Sequence, residues 1–161
     1  MEASTVRVLV VDDYEPFRRF VCSTLGKRRD LQVIGEASDG LEAVRKAEEL
    51  KPDLIVLDIG LPTLNGIEVA RRIRKLCPDC KILFLSLESS VEVAQEAFKL
   101  GASAYMVKAH AGSELSAAVE AVCQGTRFVS KGLSDHNRAD ATDIQAPGHF
   151  FQKEVLPPLM P

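Results

Sequence analysis

Five polar residues stand at the ends of short apolar runs: Asp12 and Asp13 in VLVVDDYEP, Asp58 in IVLDIGLPTLNG, Ser86 in KILFLS and Lys108 in AYMVK. Asp58 breaks its run most sharply. Val56, Leu57 and Ile59 surround it with hydrocarbon, and an ionised carboxylate withdrawn from water must be paired, hydrogen-bonded or bound to a cation. If the runs carrying Asp12, Asp13 and Asp58 are neighbours, three carboxylates meet in one crevice, which raises their pKa values or demands a cation. Oxygen ligands alone select a hard ion, Mg²⁺ or Mn²⁺, over zinc or copper. Three negative charges, a divalent ion and the Lys108 ammonium sum to near neutrality, so an incoming phosphoryl dianion meets little repulsion. A rigidly held carboxylate in that setting is a nucleophile for phosphoryl transfer. Taken singly, Asp58 also reads as the cap of a turn formed by Pro62 and Asn65-Gly66, and Ser86 as a helix cap. Their joint placement at successive run ends favours the chemistry.

The elements that must position these residues follow from periodicity. Val6 to Val11, Val33 to Ala37, Leu54 to Leu57, Lys81 to Ser86 and Ala104 to Val107 read as strands. Between them come helical stripes: Phe17, Phe20, Val21, Thr24 and Leu25; Leu41, Val44 and Ala47; Val69, Ala70, Ile73, Leu76 and Cys77; Ala94, Ala97 and Phe98; and Leu115, Ala118, Val119 and Val122. Strand then helix, with near-continuous apolar strands, predicts a doubly wound α/β fold: a five-stranded parallel sheet with helices on both faces and right-handed crossovers. Ligands of such sheets bind beyond the carboxyl ends of the strands, where the strand order reverses. All five polar residues lie at those ends.

Composition narrows the function classes. The 161 residues suit one domain with some chain to spare, and 46% hydrophobic content supports a core. A net charge of −3 lacks the clustered basic excess of a nucleic-acid binder. The start, MEASTVRVLVVDD, is unlike a signal peptide, and no apolar window approaches the roughly 18 residues of a membrane span. A cytoplasmic protein without membrane contact is expected, with Cys22, Cys77, Cys80 and Cys123 reduced. Cys77 and Cys80 form a CxxC, but no second pair or nearby His completes a zinc site, and a plain connecting loop is expected. Cys22 and Cys123 read as small buried hydrophobes, and His110, His136 and His149 as solvated loop histidines. No GxGxxG or GxxxxGK[ST] follows a strand, which argues against a flavin- or nucleotide-binding enzyme.

From about Val6 to Gly125 the chain resembles the receiver domain of bacterial two-component response regulators. VLVVDDYEPFR, PDLIVLDIGLPTLNGIEVARRIR, KILFLS and GASAYMVK carry the resemblance, in order and at the family's spacing. It is similar to the subfamily whose receivers usually precede a helix-turn-helix module. The resemblance implies a flavodoxin-like sheet of order 2-1-3-4-5 and Asp58 as phosphoacceptor. Asp13, Asp58 and the Gly60 carbonyl would ligate Mg²⁺ (or Mn²⁺) directly, and Asp12 through water. Ser86 would hydrogen-bond the phosphoryl group, Lys108 would pair with it, and Tyr105 would be an aromatic switch, although from pattern alone Tyr105 reads as a strand aromatic. A histidine kinase or phosphotransfer protein is the implied donor, and a homodimer through helix four, strand five and helix five is a further implied partner. Self-dephosphorylation is expected to be slow at most.

Two residues depart from the family pattern. Ala109 follows Lys108 where many receivers have proline after a cis peptide bond, which leaves the reach of Lys108 open. Leu87 replaces a small residue after Ser86 and is expected to narrow access to the phosphoryl group. Both keep alive an alternative, a scaffold that acts without phosphorylation. The expected division is a receiver over 1–125 and a linker-like tail over 126–161 too short and polar for a helix-turn-helix domain, so DNA contact by this chain is not expected. Residues 130–146 read as a tether, and Phe150, Phe151, Val155, Leu156, Leu159 and Met160 read either as an apolar terminus that docks on this receiver's own or a partner's surface or as the remnant of a lost output domain.

Overall fold

The computed structural model describes residues 5–131 and 133; His136, His149 and most of the expected tether and the apolar terminus lie outside the described residues. The chain alternates β1 (Val6–Val11), α1 (Glu15–Gly26), β2 (Leu31–Ala37), α2 (Gly40–Leu50), β3 (Leu54–Asp58), α3 (Gly66–Leu76), β4 (Lys81–Ser86), α4 (Val91–Lys99), β5 (Ala104–Val107), a 3-10 turn (Lys108–His110), α5 (Ala111–Cys123) and β6 (Phe128–Val129). All pairings are parallel, in the order β2-β1-β3-β4-β5-β6. The expected fold class and the order of the first five strands hold. β1 and β3 are neighbours, with Val11 opposite Leu57, so Asp12 and Asp58 emerge side by side.

Alternation along the strands divides the interior in two. Leu9, Val11, Ile55, Leu57, Ile82 and Phe84 face α2, α3 and α4, whereas Val8, Val10, Leu54, Val56, Leu83 and Leu85 face α1 and α5. Side chains on both faces of β3 are therefore buried, as its unbroken apolar run requires. Short polar residues start three helices. The Asp39 side chain accepts from the Glu42 N–H, that of Asn65 from Glu68 and that of Ser90 from Val93, each supplying a backbone donor with a partner it would otherwise lack.

Three details differ from the sequence reading. β2 starts at Leu31 rather than Val33. Leu41 and Phe20 lie on the predicted stripes yet are exposed, because α2 turns Ala43 and Ala47 to the sheet and α1 turns Val21 and Leu25. Beyond residue 125 the sheet gains a sixth strand. Phe128 N–H donates to Ser103 O (3.1 Å), Ser130 N–H donates to Tyr105 O (3.0 Å), and Leu133, 2% exposed, joins the core on the α4 side. The free edge of β5 offers backbone groups that need partners, and this segment supplies them.

Candidate functional site

The loop after β3 sets the floor. Ile59 N–H donates to Leu85 O (3.0 Å), and Gly66 N–H returns to Ile59 O (2.7 Å). α3 begins so close to the strand end that a Cβ on Gly66 would sit 2.4 Å from Asp58 O, which only glycine allows. Asp58 is thereby fixed at the carboxyl edge of the sheet, 4% exposed. Its Oδ1 accepts from the Gly60 N–H at 3.2 Å.

Asp12, at the end of β1, is fully buried; its Oδ1 accepts from the Tyr14 N–H at 2.8 Å. Lys108 Nζ lies 2.7 Å from Asp12 Oδ2 and 3.4 Å from Asp58 Oδ1. The first contact is an ion pair without hydrogen-bond alignment, so Asp12 Oδ2 keeps an unused acceptor capacity inside the protein. Burial pushes the Asp58 carboxyl up to about 6, Asp12 adding to the rise and Lys108 and the Gly60 N–H opposing it. One oxygen from each of Asp12, Asp13 and the Asp58 carboxylate falls within a 4.8 Å cluster. An all-carboxylate set with a buried, underused oxygen fits a hard divalent cation.

Ser86 and Tyr105 stand on the other side of Asp58. Ser86 Oγ accepts from the Glu88 N–H (3.0 Å), and Tyr105, completely buried, donates its hydroxyl to Glu88 O (3.0 Å). Burial pushes the Tyr105 hydroxyl up to about 12, so it stays a donor. The site opens into a groove lined further by Tyr14, Gly60, Ile67, Arg71 and Val93. All seven expected residues, Asp12, Asp13, Asp58, Gly60, Ser86, Tyr105 and Lys108, are thus at one end of the sheet.

The response regulator receiver domain family matches residues 8–120. The chain belongs to this family. The receiver is 34% identical over 129 residues to the response regulator GacA of Pseudomonas viridiflava, covering 80% of this chain and 60% of that protein. It is 41% identical over 151 residues to the DNA-binding transcriptional activator DevR/DosR of Mycobacterium tuberculosis, covering 94% and 67%. The chain therefore spans about 60% to two thirds of the length of these relatives. A LuxR-family two-component response regulator from Aurantimonas sp. SI85-9A1 superposes with a TM-score of 0.80 at 33% identity, covering 86% of this chain and 99% of that one.

The two departures from the receiver pattern leave the cluster assembled. No cis peptide bond occurs among the described residues, and Lys108 reaches both carboxylates through a trans link to Ala109. Leu87 lines the groove from its rim, with 81% of its surface exposed, so it stands outward rather than across Asp58. Cys77 and Cys80 are free, buried and in a connecting loop; burial pushes the Cys80 thiol up to about 12.

Sequence reasoning missed several neighbours of the site. The Phe17 ring, assigned only to the α1 stripe, lies 4.9 Å from Lys108 Nζ, a cation–π contact. His110 is not a solvated loop residue: it is half-buried, with Nδ1 3.5 Å from Ser130 Oγ. Glu114 is buried although it sits in a helix first turn, where a solvated acid is the usual expectation. No short motif marked the last two, since their partners come from residues 130 and 131. Among the described residues no helix is long and apolar enough to cross a membrane.

Proposed function

We propose that this receiver accepts a phosphoryl group on Asp58 from the phosphohistidine of a histidine kinase or phosphotransfer protein. The observation that carries the proposal is the buried Asp58 carboxylate beside both a lysine ammonium and two further aspartates. Asp13, Asp58 and the Gly60 carbonyl are the proposed direct holders of Mg²⁺ or Mn²⁺, with Asp12 behind them. The ion supplies charge compensation for the phosphoryl oxygens. Asp58 attacks phosphorus; an O–P bond forms, the P–N bond breaks, and its electron pair returns to the imidazole. Lys108 stabilises charge on the transferred group, and Ser86 donates to one of its oxygens after giving up the Glu88 N–H. Tyr105 must release Glu88 O to follow, which changes the surface of α4, β5 and α5 and gives a protein partner something to read.

Asp58→Asn keeps the shape and removes the nucleophile. It should abolish incorporation from acetyl phosphate with Mg²⁺, measured by intact mass, while circular dichroism stays unchanged. Full incorporation in that variant would overturn the assignment.

A further inference from the structure

Val107 is the last residue of β5, and Lys108 follows it directly. β6 ends at Val129. The next residue meets the end of β5 through its side chain: Val107 N–H donates to Ser130 Oγ at 3.1 Å. A hydroxyl whose proton is held in one direction has its lone pairs fixed in others. Here Ser130 Oγ donates to Glu114 Oε1 at 2.5 Å, and Glu114 Oε2 accepts from the Lys131 N–H at 2.8 Å. Ser130 is completely buried and Glu114 nearly so. A buried carboxylate is costly unless its hydrogen bonds are made, and these are made only when the segment after β6 is seated.

The turn that carries Lys108 is thus clamped before its first residue by Ser130 and after its last by α5, which holds Glu114. We propose that Ser130, oriented by Glu114, is a positioning residue for Lys108: it keeps the ammonium against Asp12 and Asp58 in a chain where Ala109 provides no ring to stiffen the turn. The inference rests on the proposed role of Asp58 for its rate readout. The Mg²⁺ readout is independent of that role. While Lys108 is held 2.7 Å from Asp12 Oδ2, its positive charge opposes a divalent ion at the same carboxylates. Loosening Lys108 should slow phosphoryl uptake yet tighten Mg²⁺ binding, whereas general loosening of the site weakens both.

The test uses the full chain, acetyl phosphate as donor and calorimetric Mg²⁺ titration. Ser130→Ala should slow incorporation by about tenfold and raise Mg²⁺ affinity by about twofold or more. In a Lys108→Ala background it should change the rate by less than about twofold, because a residue acting through another adds nothing once that other is gone. Glu114→Gln, which keeps an acceptor for Ser130, should show the same signs at a smaller size and serves if Ser130→Ala does not fold. A folded Ser130→Ala with wild-type rate, multiplicative effects with Lys108→Ala, or unchanged or weakened Mg²⁺ binding would each overturn the proposal. If the wild-type chain takes no phosphoryl group, the proposed function falls, and the direction of the Mg²⁺ shift alone decides the role of Ser130.

Discussion

Asp58 is ionised only at the expense of folded-state stability when no cation is present. Its carboxyl is raised from 3.8 to about 6 in the fold, chiefly by burial. Between those values the native state binds the proton more tightly than the unfolded chain, so this residue's stabilising contribution is full below pH 4 and is lost as pH rises through 6. The shift corresponds to about 3 kcal/mol. In EDTA, urea midpoints of the wild type relative to Asp58→Asn should fall between pH 4 and 7; the paired comparison removes Asp30, Glu42 and Glu68, whose lowered values act in the opposite direction. A flat difference would show that Asp58 is not desolvated. Asp13 is exposed, so Asp13→Ala should leave the melting temperature within a few degrees while weakening Mg²⁺ binding by about tenfold or more, as loss of a carboxylate ligand from a hard-cation site does. The residues that could be read from the sequence were those whose type contradicted their setting: acids, a serine and a lysine at the ends of apolar runs. Phe17, Glu114 and Ser130 did not contradict theirs, and only three-dimensional contact reveals what they do.

At the scale of elements, the sheet end is shaped by close approach as much as by polarity. Gly66 opens α3 against the backbone of Asp58, and a methyl there meets Asp58 O and the Ile59 Cα at 2.4 and 2.7 Å. Neither neighbour is the far end of a mobile side chain. Gly66→Ala should therefore cost about 2 kcal/mol or more, read as a lowered urea midpoint, and displace Asp58 enough to slow phosphoryl uptake. Unaltered stability would mean that α3 can slide off the strand. Strands β1, β3, β4 and β5 were legible because apolar runs of that length, separated by helical periods, have few other readings. β6 was not, since Phe128 and Val129 are too short a run between Arg127 and Ser130 to signal a strand. The helical periods were right, but Leu41 and Phe20 show that a period alone leaves the centre of the buried face uncertain by about one position.

The molecule as a whole closes later in the sequence than its family pattern suggests. Leu133 fills the core beside α4, and the backbone of Phe128 and Ser130 completes the β5 edge. A chain ending at residue 126 should lose about 2–5 kcal/mol, the range of a deleted core leucine, besides its strand bonds. Equal melting temperatures for that chain and the full one would show that the segment after α5 contributes nothing. The expected division at 125 follows the extent of the resemblance, and a single apolar residue beyond a polar stretch gives no periodic signal.

The position of β1 between β2 and β3 also orders events in time. Val8 must find Leu54 across 46 residues of chain before Asp12 can face Asp58, while β1, α1 and β2 meet over a much shorter loop. Long closures come late because their entropy must be met before their contacts form. The carboxylate cluster should accordingly be among the last features the chain acquires, formed after the folding barrier is crossed. A cation that binds there should lengthen the lifetime of the folded protein and leave its rate of folding nearly untouched.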